Sequence, residues 1–275
     1  TAEIMRRFEP VVDDFAQDAV LVVGDVNSTI ACALVASKKQ IPVIHVEAGL
    51  RSRDRRMPEE INRVLTDQLS ELLFTTEADA ETNLVREGIP LERIHFVGNV
   101  MIDTLYANQP RAIPAERTLD GLEGFSGGTA NFGVLTLHRP SNVDDPEVLE
   151  RLLKVLADIS ATTPLVFPMH PRTRSKIDEF GLGPLLDSGS IALTEPLGYL
   201  ELRGLMIKAK VVLTDSGGLQ EETTALGVPC ITLRENTERP ITVTEGTNTV
   251  VGTDPVKLRA CFDDIANTGG KAGRV

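Results

Sequence analysis

Two doubly wound α/β domains are expected from this chain, and three observations predict them. Short β-rich runs alternate with helical stretches along nearly the whole length, which is the rhythm of parallel sheets. The rhythm breaks once, across residues 107–132, in the Pro-, Gly- and Ala-rich "ANQPRAIPAERTLDGLEGFSGGTANF", which reads as a connection between domains. Polar residues recur where the apolar runs end, and ligands of open α/β sheets bind at those ends. The expected domains are residues 1–115 and 128–275.

The bulk composition agrees. A chain of 275 residues is long enough for two ordinary domains, and 41% apolar residues are enough for a sizeable core. No run of apolar residues is long enough to span a membrane, and no secretory leader is expected, for want of the charged-then-apolar pattern that one would need. The net charge of −12 argues against a general nucleic-acid binder, while leaving room for a local basic pocket. Cys32, Cys230 and Cys261 are scattered and odd in number, which fits a reduced, cytoplasmic protein. His45, His95, His138 and His170 make no metal-type spacing with them, so no metal is expected.

In order along the chain, "TAEIMRRFEPVVDDFAQ" opens as a helix with no strand before it, and the chain stops at "GGKAGRV" with no closing element. The first domain is therefore expected to lack its leading strand in this chain. "VLVVGD" (20–25) is its first strand here and ends at Asp25. The neighbouring "VVGDVNST" lacks a GxGxxG turn, so no nicotinamide cofactor is expected. The plain alternative for Asp25 is a cap on the following helix.

"IPVIHV" (41–46) is a buried strand, and Glu47 follows it in "HVEAGLRSRDRRMPEEINR". Pro58 suits a first helical position, so Glu59 and Glu60 fall in a first turn, where the helix dipole favours negative charge. Glu47 has no helix to cap for several residues. "LLFTT" (72–76) and "IHFVGN" (94–99) complete the first set of strands.

The second set is "GVLTLH" (133–138), "PLVFPMH" (164–170), "SIALTE" (190–195), "VVLTDS" (211–216), "PCITLR" (229–234) and "TNTVVG" (247–252). The sharpest phosphate signal is "TDSGGLQEETTALG" (214–227). There a strand ends at Asp215, Ser216, Gly217 and Gly218 turn, and a helix begins. Glycines let the backbone approach an anion, and free helix-start N–H groups favour one. Glu221 and Glu222 in that first turn can accept hydrogen bonds from a sugar diol. "LRENTERPITVTEGTN" adds Arg234 and Arg239, whose forks suit a diphosphate, although a polar loop would carry arginines too. His138 and His170 end equivalent strands beside Arg139 and Arg172, a pairing that favours anion handling over two unrelated structural histidines. Asp25, Glu47 and Glu59 are then expected to converge. Carboxylates held close repel, and burial raises a carboxyl pKa, which supplies proton donors and acceptors near neutrality.

The ordered set "GDVNST", "HVEAGLRS", "MPEEINR", "GNVMID", "TLHRPSNVDD", "HPRT", "TDSGGLQEE" and "RENTERPITVTEGTN" resembles the non-hydrolysing UDP-N-acetylglucosamine 2-epimerases over nearly the whole chain. The resemblance implies two Rossmann-like domains of the GT-B type, as in many nucleotide-sugar glycosyltransferases. It implies a UDP-sugar substrate, interconversion of UDP-GlcNAc and UDP-ManNAc, a homodimer, and no cofactor or metal. Elimination of UDP with anti loss of the C2 proton would leave 2-acetamidoglucal, to which UDP re-adds after protonation from the other face. By matching motifs, Asp25, Glu47 and Glu59 correspond to the family's catalytic acids and His138 to its catalytic histidine. His170, Ser216, Gly217, Gly218 and Glu222 match nucleotide-binding positions, with Glu222 toward the ribose.

The chain departs from the pattern in lacking the "GTRPE"-like opening and the closing segment. It also carries Leu202 where relatives often place an aromatic against uracil. Three rival expectations are a glycosyltransferase of the same fold, an epimerase of another UDP sugar such as a diacetamido-uronic acid, and a non-catalytic UDP-sugar-binding protein.

Overall fold

All ten expected runs form strands, and every pairing among them is parallel. The computed structural model describes residues 1–122, 125, 128, 131–187 and 189–274. The chain divides into two units, Thr1–Asp103 and Thr104–Val275.

The first unit runs α1 (Ala2–Asp14), β1 (Val20–Val23), α2 (Asn27–Lys38), β2 (Val43–Ala48), α3 (Pro58–Leu69), β3 (Leu72–Thr75), α4 (Ala78–Arg86) and β4 (Ile94–Phe96), then enters α5 (Val100–Asn108). The strands lie in the order β1-β2-β3-β4. With right-handed crossovers that order places α2, α3 and α4 on one face. Alternate strand residues face those helices: Val22, Val43, His45, Leu73, Thr75 and Ile94 are buried. The residues between them point the other way, and Leu21 and Val23 are exposed. Among the described residues no strand precedes β1.

The second unit runs α6 (Ala115–Leu119), β5 (Gly133–Thr136), α7 (Pro140–Val143), α8 (Pro146–Ser160), β6 (Leu165–Pro168), α9 (Pro171–Phe180), α10 (Gly183–Asp187) and β7 (Ile191–Thr194). It continues α11 (Tyr199–Lys208), β8 (Val211–Thr214), α12 (Gly217–Leu226), β9 (Cys230–Thr232), α13 (Pro240–Thr244), β10 (Asn248–Val250) and α14 (Pro255–Thr268). The order β10-β9-β8-β5-β6-β7 reverses direction between β5 and β8, so this sheet is doubly wound. Both faces are covered. Leu135, Leu165, Phe167, Val211 and Leu213 pack with α8 and α14 residues on one side, and Val134, Val166 and Val212 pack with Leu205 and Met206 of α11 on the other.

The division at Asp103/Thr104 falls earlier than the expected edge at residue 115. The reason is packing. Ala115 and Leu119 of α6 are buried in the second unit's core, and the Ile113 amide donates to the Leu200 carbonyl at 3.0 Å. A Cβ on Gly204 would lie 1.6 Å from the Ile113 carbonyl oxygen, so α11 tolerates no side chain there. What reads in sequence as a connection is woven into the unit that follows it. Residues 123, 124, 126, 127, 129 and 130 of that stretch lie outside the described residues.

Candidate functional site

In the first unit Asp25 and Glu47 stand at the carboxyl ends of β1 and β2, and Glu59 lies in the first turn of α3. β2 continues past Val46, so Glu47 lies inside the strand and not after it, a correction to the expectation from sequence. The β2–β3 register shifts between Val46 and Ala48, and Glu47 sits at that bulge with φ of 72°. A non-glycine residue in the left-handed region costs about 1 kcal/mol or more. Gly24, also left-handed, lies against it: a Cβ on Gly24 would stand 3.4 Å from Glu47 Oε2. Asp25 follows Gly24 directly in the chain.

Asp25 does not cap α2, whose N-cap is Val26 with no side-chain cap bond. Its carboxylate instead accepts from Arg63 Nη2 at 2.5 Å and Nε at 3.1 Å, and its carbonyl accepts from Asn62 Nδ2 at 2.9 Å. Pro58 does open α3, and the two acids behind it divide their roles. Glu60 is buried and accepts from the Ser52 and Arg53 amides at 2.9 and 2.8 Å and from Arg63 Nη1 at 2.9 Å. Glu59 is half-buried on the same turn. The helix that carries Glu59 is thus also the one that holds Asp25.

In the second unit the candidate groups stand at the ends of β5, β6 and β8, where the strand order reverses. Asp215, wholly buried, accepts from the His138 and Arg139 amides at 3.0 and 2.9 Å and from Asn142 Nδ2 at 3.2 Å. Its other oxygen lies 2.9 Å from His138 Nδ1. Burial works against its charge, but His138 and the backbone amides hold the carboxyl below its ordinary value. An ionised Asp215 only accepts, so it places a proton on His138 Nδ1 and turns Nε2 to the far side of the ring. The His138 side chain is 36% exposed. His170 caps α9, its Nδ1 accepting from the Arg172 amide at 3.2 Å. The two rings lie 5.7 Å apart.

Ser216 is the N-cap of α12, and no side chain caps that helix. Its first N–H groups, on Gly217 and Gly218, follow directly from the reversal point. A cavity of about 310 Å³ opens here, walled by His138, His170, Ser216 and Thr136 on the polar side and by Pro196, Leu197, Leu202 and Leu219 on the apolar side. Leu202, the residue expected at the base contact, is thus one of the apolar walls of this cavity. Glu222 is buried one turn into α12. Burial pushes its carboxyl up, against the pull of the Arg203 charge and the Tyr199 hydroxyl.

Arg234 and Arg239 both carry carboxylate partners. Arg234 Nη2 meets Glu238 Oε2 at 2.7 Å, and Arg239 Nε meets Glu221 Oε2 at 3.0 Å. Burial opposes the charge on Glu238, yet Arg234 pulls its carboxyl down to about 2. A Cβ on Gly217 would come within 2.4 Å of Glu238 Oε1, so the glycine lets this buried pair sit beneath the start of α12.

Sequence reasoning missed Asp215 and Arg63 as partners of the candidate groups. Asp215 carried a visible signal, a carboxylate closing the apolar "VVLTD" at the same strand-end position as His138. Arg63 carried none, because four other arginines precede it in "RSRDRRMPEEINR".

The family model described as UDP-N-acetylglucosamine 2-epimerase matches residues 1–274. The chain is 44% identical over 268 residues to a UDP-N-acetylglucosamine 2-epimerase of Methanococcus maripaludis, covering 96% of this chain and 73% of that one. It is 42% identical over 256 residues to UDP-2,3-diacetamido-2,3-dideoxy-D-glucuronate 2-epimerase of Pseudomonas aeruginosa, covering 92% and 68% respectively. The crystal structure of the Methanocaldococcus jannaschii UDP-GlcNAc 2-epimerase with UDP-GlcNAc and UDP superimposes with a TM-score of 0.86 at 42% identity, covering 97% of this chain and 74% of that one.

Proposed function

Since this chain belongs to the UDP-N-acetylglucosamine 2-epimerase family, we propose that it inverts C2 of UDP-N-acetylglucosamine, giving UDP-N-acetylmannosamine reversibly. The observation that carries this reading is the family match across residues 1–274. The local geometry of each unit supports it.

The second unit holds the nucleotide. The Gly217 and Gly218 amides and the α12 dipole receive the diphosphate, Glu222 takes the ribose hydroxyls, and Leu202 and Leu219 pack on the base. Arg234 and Arg239 balance the acids beside that helix start. The first unit acts on the sugar through Asp25, Glu47 and Glu59. One carboxylate takes the C2 proton while the C1–O bond breaks. The C–H electrons become the C1–C2 double bond of 2-acetamidoglucal, and the C1–O electrons leave on UDP. A second acid then protonates C2 from the opposite face as UDP re-adds to C1. Charge builds on the departing diphosphate oxygen and on the ring as an oxocarbenium ion, and His138 and the fixed carboxylates stabilise the two respectively.

Incubation with UDP-GlcNAc alone in deuterated water tests the reading. UDP-ManNAc carrying deuterium at C2 is the expected product. Turnover only when a sugar acceptor is added points to a glycosyltransferase, and UDP binding without deuterium exchange points to a non-catalytic binder. The Pseudomonas aeruginosa relative favours one second reading, a diacetamido-uronic acid as the sugar, so UDP-2,3-diacetamido-2,3-dideoxy-D-glucuronate is the competing substrate in the same assay. A homodimer, read by light scattering, and a cytoplasmic location belong to the same proposal. Among the described residues no helix is long and apolar enough to cross a membrane.

A further inference from the structure

We propose that His45, locked to Asp67, is a positioning residue that fixes the backbone presenting Asp25 and Glu47. This rests on the function proposed above. His45 and Asp67 are both 0% exposed, so neither touches substrate. Their position accounts for a cost that the first unit carries, the left-handed backbone of Glu47.

The ring of His45 is engaged at both ends. Nδ1 lies 2.6 Å from Asp67 Oδ1, and Nε2 lies 2.8 Å from the carbonyl oxygen of Gly24. Gly24 immediately precedes Asp25, so this contact sets where β1 delivers that acid. The other oxygen of Asp67 accepts from the Gly49 amide at 3.2 Å. His45 stands two residues before Glu47 and Gly49 two residues after it. A single carboxylate on α3 therefore grips the strand on both sides of the strained residue. Strain of this kind persists only where the surroundings over-determine the backbone, and this is such a surrounding.

The chemistry of the partners also fixes the protons. A backbone carbonyl only accepts, so Nε2 carries a hydrogen. Asp67 receives Arg51 Nη2 at 2.7 Å as well as the Gly49 amide, an environment for an ionised carboxylate, which also only accepts. Nδ1 then carries a hydrogen too, and the ring is an imidazolium. The charged groups facing it are Asp67 from α3, Arg51 from the loop after β2 and, beyond Arg51, Glu87 after α4, whose Oε1 accepts from Arg51 Nε at 2.8 Å. Two cations and two anions alternate in this buried cluster, so the imidazolium charge is compensated. Arg63 anchors Asp25 from the same helix that carries Asp67, so α3 holds both acids through two separate grips.

The test uses the full chain carrying Asp67→Asn, His45→Gln or both. Asp67→Asn removes the charge that favours the imidazolium, and His45→Gln cannot reach both partners at once. Turnover of UDP-GlcNAc is expected to fall about ten- to a hundredfold in each single variant, the size typical of removing an orienting group. KM and calorimetric UDP affinity should stay near the wild-type values. The double variant should be no slower than the slower single one, because both break one network. A merely structural role would lower the melting temperature without this split between kcat and KM. Wild-type turnover in either folded variant overturns the proposal.

The nitrogen chemical shifts of the His45 ring in the wild-type protein test it independently of folding of the variants. Two protonated nitrogens at neutral pH are expected, and a ring with one bare nitrogen overturns the proposal. If the wild-type chain turns over neither UDP sugar, the proposed function fails, while the ring measurement still decides the network.

Discussion

Glu238→Gln isolates the energy of the buried pair beneath the candidate phosphate turn. Glu238 meets Arg234 through both carboxylate oxygens, at 2.7 and 3.2 Å, with both side chains nearly buried. Its carboxyl ionises at about 2 in the folded protein, against an ordinary value of 4.5. A difference of that size stabilises the ionised folded state by about 3 kcal/mol. Because the folded value is depressed, the contribution is complete above the ordinary value. It declines as the pH falls below 4.5 and is lost near 2.

Glutamine keeps the shape and loses the charge, so the variant should be about 3 kcal/mol less stable at neutral pH, with the gap closing as pH falls. Tyrosine fluorescence makes the assay specific, because the chain has no tryptophan and two tyrosines. Both of them, Tyr106 and Tyr199, lie in the second unit. Urea titrations of wild type and variant at neutral pH and near pH 3 read the difference directly. A gap equally wide at both pH values, or no gap at all, would refute the argument.

Three further outcomes follow from the geometry. Asp215→Asn keeps an acceptor for the His138 and Arg139 amides but turns an N–H toward His138 Nδ1, forcing the other tautomer. Epimerase turnover should then fall about ten- to a hundredfold, and an unchanged kcat would remove Asp215 from the site. Gly204→Ala places a methyl 1.6 Å from the Ile113 carbonyl, so the second unit should lose about 3 kcal/mol, and a wild-type urea midpoint would show that α11 can move aside. Glu47→Gly removes the Cβ penalty at φ 72°, so calorimetry should find the first unit stabilised by about 1 kcal/mol while C2-proton exchange disappears. A destabilised variant would mean that the Glu47 side chain contributes more than its backbone costs.

Much of this was legible before any coordinates. Each strand is an apolar run closed by a polar residue or a turn, and that local pattern needs no tertiary information. Pro58 opens α3, and Gly217 and Gly218 open α12, because proline and glycine act on their own backbone. Burial on α3 was not legible. Pattern alone would turn Ile61 and Leu65 inward, yet both are over 40% exposed, while Glu60, Arg63 and Asp67 are buried. These three face the ends of β1 and β2, where Asp25, Ser52, Arg53 and His45 supply the partners that make their burial affordable.

The sequence by itself determined which segments become strands, which polar groups stand at their ends, and which family's ordered motifs they match. Apolar periodicity and turn chemistry act within a few residues, so one dimension suffices for them. Only the tertiary structure decided that Asp215 holds His138, that Arg63 holds Asp25, and that Asp67 brackets Glu47 through His45 and Gly49. Those bonds join residues far apart in the chain, and a buried charge is tolerable only beside the one partner that the completed fold brings within reach.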